Sequence, residues 1–493
     1  MTTKWTLPAR VRVRRRGTEP RPAPGSSPRQ LPAVVFVIGY AVLLICIPSQ
    51  LILGPLGAAG TPANLWGIAA LLWWICSTLA GMSHTRGFTP VRIVVGLLGF
   101  SVAASYIAGT TRGWFAPADV RQITDELWTL VPVTLDELSS TMLKAADRGL
   151  LAFAGWAGIA LLAADGLNSW KDLHRLASWV SWLGAFLAAL GIVQYFTKVD
   201  IASFFQIPGL VANSEFGQVI SRSVISRVSG TALHPIEYGV VLAAIFPLAL
   251  HYGFTHRGKT TAWVPAIVIG VGAPMSVSRS SVIALVVAFV VLLAGWSRAR
   301  RHRALIITPI AAVALRLAIP GLLGTIVALF TNFFNDPSIS GRTQDYGVVL
   351  GVFADNPWFG RGLFTFVPRY YRILDNQYLM ALVELGIIGL TAVIVFFVVG
   401  FFTARGAKRR ATSADDRHIA LALSASLVGL ATSYATFDAW GFPMAAGLTF
   451  LVVGMIGSAW QNSMRDAKAR GANGPQGKVD SSNDHERRVS NST

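Results

Sequence analysis

Asp375 and Asn376 stand side by side in "RILDNQYLMALVELGIIGL", directly before an apolar run that opens at Tyr378. A polar pair at such a mouth could belong to a catalytic site or to an ion-coupled transport site. The pair also suits a plain helix N-cap, where Asp and Asn are favoured. Glu384 lies inside the run, and a charge within a span is a functional candidate by default, either as an ion-coupling site or as a buried partner for an arginine. A second polar group, His234 with Glu237, opens another apolar run in "RVSGTALHPIEYG". His234 could act as acid or base, or could simply cap and pack. Arginines supply the remaining chemistry. Arg279 sits in "MSVSRSSVIAL", Arg342 in "SGRTQDYGVVLGVF", Arg361 in "DNPWFGRG", and Arg227 just before His234. A guanidinium grips phosphate in a bidentate way; the blander role is a helix-end arginine reaching to lipid headgroups. There is no metal-ligand spacing, P-loop, Gly-x-Ser-x-Gly elbow or aspartate-rich cation motif. Any anionic substrate would therefore have its charge balanced by arginine.

These residues need a membrane frame to position them. The chain has 493 residues, 53% hydrophobic and only 13% charged, against about 25% charged in soluble domains. Its apolar runs are long enough to cross a bilayer. An all-α polytopic membrane protein follows, with about twelve transmembrane helices. They start near Ala33, Ala63, Val91, Gly149, Leu176, Tyr238, Ala262, Ser280, Leu305, Tyr378, Ile419 and Pro443. The net charge of +18 resides mostly in connections and tails. Positive-inside topology explains it, and a nucleic-acid partner is not expected. Cys46 and Cys76 fall inside spans and read as packing residues.

Five basic connections, among them "SRARRHR" and "TARGAKRRATS", put both termini on the cytoplasmic side of the plasma membrane. Residues 1–31 and 462–493 read as disordered cytoplasmic tails flanking a helical domain over 32–461. Three longer connections then face outwards, at about 110–148, 197–237 and 331–377; the last is a large loop before the tenth helix. In the first, Val120, Ile123, Leu127, Leu130 and Val131 share one face of an amphipathic surface helix. Arg316 and Pro320 interrupt the ninth span, which should kink there.

Four segments in order resemble the O-antigen ligase and O-antigen polymerase superfamily: "RVSGTALHPIEYG", "SVSRSSVIAL", "SGRTQDYGVVLGVFADNPWFGRG" and "LDNQYLMALVELGIIG". They cover roughly residues 227–390. The ligase branch carries a histidine, then Asn, Ser or Gln, nine residues and a Gly-x-x-Gly. Asn376, Gly386 and Gly389 fit that spacing, but Asp375 stands at the histidine position. After Arg279 the family's leucine is matched only approximately, with Leu285 the nearest. The resemblance implies glycosyl transfer on the outer face from an undecaprenyl-diphosphate-linked oligosaccharide to a sugar hydroxyl, without metal or cofactor. Arg279 and Arg342 would bind diphosphate, with Arg227, Arg361, Asn376 and Glu237 as further substrate-binding candidates. Asp375 would be the base or orient the acceptor, with His234 the other catalytic candidate. Membrane lipid and chain-length or export proteins would be the remaining partners. The departure at Asp375 favours polymerase over ligase. A bias to Arg, Ala and Gly suggests a GC-rich genome, which would favour exopolysaccharide, capsule or cell-wall glycan over lipopolysaccharide.

Two other classes compete. A transporter or flippase of lipid-linked oligosaccharides would suit twelve spans, but keeps its charges near the midplane. Here they crowd the outer loops. A noncatalytic envelope scaffold would tolerate loss of those charges.

Overall fold

A computed structural model describes residues 32–81, 89–115, 135–213, 227–256, 258–331, 337–368, 371 and 373–472. The tail expected over 1–31, residues 473–493 of the other expected tail, and the amphipathic helix around residues 120–131 lie outside the described residues. The helices in chain order begin with α1 (Ala33–Cys46), α2 (Pro62–Leu79), α3 (Pro90–Thr111), α4 (Leu135–Gly166) and α5 (Trp170–Thr197). Then come α6 (Pro235–Thr255), α7 (Val264–Gly272), α8 (Arg279–Gly295), α9 (Arg298–Ala318), α10 (Leu322–Thr331) and α11 (Pro337–Asp355). The last three are α12 (Gln377–Arg410), α13 (Ala414–Ser433) and α14 (Pro443–Ala472). Two short strands, β1 (Leu51–Ile52) and β2 (Val211–Ala212), pair antiparallel and tie the first connection to the second long one.

Seven of these helices are long and apolar enough to cross a membrane by length and composition, and an eighth if the bent pair α9–α10 is one span. The protein is thus a multi-pass membrane protein, but the count of twelve is not reached on these grounds. α1, α8 and the stretch Thr260–Ser276 are apolar but shorter. α9 and α10 meet at 111°, at the interruption that Pro320 and Gly321 impose. Several boundaries differ from expectation. α4 starts at Leu135, well before Gly149. α14 runs to Ala472 instead of ending at 461, because its polar end is still anchored: Asn462 donates to Leu167 O, and Arg465 to Asn168.

Local sequence sets the helix starts. Pro62, Pro90 and Pro235 occupy the first turn, where a missing N–H costs nothing. Ser169, Ser278 and Ser413 accept backbone N–H bonds as N-caps, meeting donors the helix cannot satisfy itself. Burial then orders the bundle. α14 is the central helix, with 89% of its apolar window enclosed, whereas α2 encloses 22% and lies at the rim. α9 has no buried residue and lies outside the packed bundle.

α12 is broken. At Gly386 the backbone leaves the helical region (φ 68°), and the turn 356–362 fills the gap. Glu384 O accepts from Arg361 N (3.0 Å), Gly362 N (2.9 Å) and Ser105 Oγ. On the far side of the break, Ile387 N donates to Pro357 O (2.9 Å) and Ile388 N to Trp358 O (3.3 Å). Groups freed by a broken membrane helix must find such partners, since lipid offers none. A Cβ on Gly386 would collide with the Trp358 carbonyl, and one on Gly360 (φ 66°) with the Glu384 carbonyl. Gly386→Ala should therefore destabilise the protein by at least about 2 kcal/mol. Gly321→Ala, at φ 88° with open space around it, should cost only about 1 kcal/mol. Melting temperatures of the two variants check this; equal losses would contradict it.

Candidate functional site

Four helix starts converge at one end of the bundle, and each brings a polar group. His234 is the N-cap of α6, and its Nδ1 accepts from Ile236 N (3.1 Å). With Nδ1 engaged as acceptor, the ring proton of neutral His234 belongs on Nε2. The free edge of the ring is then a donor, not a base. Burial, and secondarily the Arg227 charge, push its pKa down to about 4 against a raising influence from Asp375, so the ring is neutral at ordinary pH.

Glu237, three residues on, is fully buried. Its Oε2 accepts from Leu233 N (2.7 Å), and its Oε1 from Met444 N (2.6 Å) and Ala445 N (3.1 Å). These last two are among the unsatisfied donors at the start of α14. Both carboxylate oxygens are thus engaged with backbone. Glu237 joins the starts of α6 and α14, and the structure does not turn it towards a substrate.

Arg279 is the first residue of α8 and is half-buried. Arg227 lies close enough for the Arg279 charge to act on it. Its pKa is lowered, first by desolvation from packed surroundings, although the residue is exposed at the rim, and then by Arg279. Two guanidinium groups held near each other repel unless an anion lies between them.

Asn376 is the N-cap of α12, with Oδ1 accepting from Tyr378 N (2.9 Å) and Leu379 N (3.2 Å). The capping role expected for the pair thus belongs to Asn376. That leaves the half-buried Asp375 just outside the helix, where it acts electrostatically on both His234 and Asp438.

Asp438 is the residue the sequence reading missed. It lies in the turn between α13 and α14, where it is the N-cap of the short 3₁₀ turn Ala439–Gly441. Gln377 fixes that turn: its N–H donates to Tyr434 O (2.8 Å), and its Oε1 accepts from Trp440 N (2.7 Å). Ser280 Oγ reaches Thr436 O at 3.5 Å, bringing the start of α8 to the same turn. The Asp438 residue is half-buried, but its carboxyl is set back in the turn. Desolvation first, and the Asp375 charge besides, raise its pKa to about 7. An isolated aspartate before "AWG" was the only signal in the sequence.

The other expected residues lie elsewhere. Arg361 is buried in the core, where Nη2 donates to Tyr371 Oη (2.6 Å) and the guanidinium stacks 4.6 Å from the Tyr371 ring. That position ties the turn 356–362 to the segment carrying Tyr371. Glu384 is also buried, with its carboxylate accepting from Phe366 N (3.2 Å) and from the Phe364 backbone, and the Arg361 charge nearby. Arg342 falls on α11, and its side chain lies outside the described residues.

The cluster of Arg227, His234, Arg279, Asp375, Asn376 and Asp438 combines cations, carboxylates and helix N-termini. The cations and N-termini favour an anion. The carboxylates can accept a proton. Residues 264–394 match the family model Wzy_C, described as O-Antigen ligase. This segment is similar to an O-antigen ligase domain. The match supports the O-antigen ligase and polymerase superfamily and, with it, ligase- or polymerase-type glycan transfer in polysaccharide biosynthesis. No curated protein matches the chain. The matched segment holds Arg279, Asp375, Asn376 and the break at Gly386; Arg227, His234 and Asp438 lie outside it.

The carboxylates are coupled, and the sign of the coupling can be read. Asp375 raises the Asp438 pKa, so Asp375→Asn should move the Asp438 ionisation to lower pH. Infrared difference spectra of the carboxyl stretch, assigned with Asp438→Asn, measure it. An ionisation that stays in place, or rises, contradicts the pairing.

Proposed function

We propose that the protein is a polysaccharide polymerase that transfers a glycan from an undecaprenyl-diphosphate-linked donor to a sugar hydroxyl at the outer face of the plasma membrane, with both termini cytoplasmic. One observation carries this reading: a pair of arginines and a pair of carboxylates share one end of the bundle, within and beside the segment similar to an O-antigen ligase domain. Arg279 and Arg227 hold the diphosphate of the donor, aided by the N-terminus of α8 and, from α11, by Arg342. Neutral His234, through Nε2–H, donates to a phosphate or sugar oxygen. Asn376 caps α12 and so fixes Asp375 beside the acceptor.

The acceptor hydroxyl oxygen forms a bond to the anomeric carbon. The bond from that carbon to the phosphate oxygen breaks, and the polyprenyl diphosphate leaves with the electron pair. The hydroxyl proton passes to a carboxylate of the Asp375 and Asp438 pair. A base is most effective with a pKa near ambient pH, which the raised value of Asp438 supplies. Asp375 at the position of the ligase histidine favours polymerase over ligase. Neither the sugar nor the chain-length and export partners follow from these residues.

The break in α12 also suits a transporter, where discontinuous helices line a midplane ion site. Here the turn 356–362 fills the break with backbone, which supports transfer over transport. In a strain making the polymer, Arg279→Ala and Asp375→Ala should each reduce polymer by roughly 100-fold or more at normal expression. Arg279→Lys should restore only part, because lysine lacks the bidentate fork. Full-length polymer from all three variants would rule out this site. Transfer of labelled donor across vesicles without a new glycosidic bond would favour the flippase.

A further inference from the structure

At the opposite end of the bundle a chain of side chains crosses four helices. Trp296 Nε1 donates to His418 Nε2 (2.9 Å), His418 Nδ1 meets His251 Nδ1 (2.9 Å), His251 Nε2 meets His174 Nδ1 (3.1 Å), and His174 Nε2 meets Asp416 Oδ1 (2.8 Å). The successive imidazoles are stacked, with centroids 5.1 Å apart and planes 21–22° apart. His251 and His418 are buried. The ring nitrogens meet in pairs rather than around a common point, and among the described residues no group of three is placed to hold a metal ion.

The two ends of the chain fix its direction. An indole N–H can only donate, and a carboxylate can only accept. His418 Nε2 must therefore be an acceptor, which puts the His418 proton on Nδ1. That proton makes His251 Nδ1 an acceptor and leaves the His251 proton on Nε2. The same step puts the His174 proton on Nε2, pointing at Asp416. All four bonds are satisfied with three neutral rings and one orientation. A further proton on His251 or His418 would set two donors against each other or against the indole, and so break a bond.

The chain joins helices that also reach the site. His174 is on α5, whose far end holds Ser229 N and Gly230 N through Gln194 Oε1 (3.0 and 2.8 Å), beside Arg227. His251 is on α6, about 25 Å along the helix from His234. Trp296 ends α8, which begins at Arg279, and His418 is on α13, which leads into the turn of Asp438. Arg300 on α9, Lys408 on α12 and His256 beyond α6 are the other basic groups acting on the buried rings; Asp416 is the acid.

We infer that Trp296, His418, His251, His174 and Asp416 form a proton-sensitive clamp that sets the spacing of four site-bearing helices and loosens when its buried imidazoles are protonated. Trp296 acts as the orienting stop. Without the indole the chain could reverse, so that a proton added at His174 would face Asp416 and every bond between rings would survive. The clamp is independent of the chemistry proposed for the site.

The sign of the pH effect follows. The unfolded chain binds protons at its histidines near the ordinary pKa of about 6.5, while the clamp binds none without losing a bond. Its stability is full above that value and is lost as pH falls below it. The test uses the full-length protein in detergent. The melting temperature of the wild type should drop by several degrees between about pH 7.5 and about pH 5.5. Trp296→Phe should melt lower at the upper pH but show a clearly smaller drop. Nitrogen-15 spectra of histidine-labelled protein at the upper pH should show His418 protonated on Nδ1, and His251 and His174 on Nε2. Equal pH drops in the two proteins, or any other tautomer pattern, would overturn the clamp.

Discussion

The broken helix α12 is the constraint from which the site follows. A membrane helix cannot leave its backbone groups open to lipid. The break at Gly386 is tolerable only because the turn 356–362 donates to Glu384 O and accepts from Ile387 and Ile388. Glu384 then binds the same segment through its carboxylate at Phe366, and Arg361 is buried against Tyr371. The half-helix that results, Gln377–Leu385, carries the Asn376 cap at one end and the break at the other. Asp375 is thereby held just outside a fixed helix start, and Gln377 anchors the turn that carries Asp438.

Electrostatics completes what packing begins. Arg227 and Arg279 lie near each other, Asp375 and Asp438 lie near each other, and Asp375 also acts on His234. Like charges brought together oppose their own ionisation. Desolvation first, and the like charge besides, raise the Asp438 carboxyl and lower Arg227. A bound anion between the arginines, and a shared proton between the acids, would each relieve the repulsion.

Much of this was legible in the sequence where the signal was local. The spacing from Asn376 to Gly386 marks the length of the half-helix, and "HPIE" reads as a capped start. The sequence singled out His234, Arg279 and Asp375 as site candidates, in part through the family resemblance; that they share one end of the bundle depends on packing. Other roles depended on tertiary partners. Glu237 looked available for substrate, but its oxygens are taken by Met444 and Ala445 on α14, and nothing near Glu237 announces that. Arg361 looked like a loop arginine and is a core residue. Asp438 was passed over because a single acid in a short turn carries no pattern. The histidine clamp was invisible, since His174, His251 and His418 are far apart in sequence and meet only when four helices pack.

The central claim is that the end of the bundle where α6, α8, α12 and α14 begin receives a polyprenyl diphosphate. The most direct measurement is a cryo-electron microscopy map of the protein with a polyprenyl diphosphate bound. The account predicts diphosphate density between Arg227 and Arg279 at the start of α8, within reach of His234. Density confined to the basic start of α9, with the Arg227 and Arg279 pair empty, would contradict it.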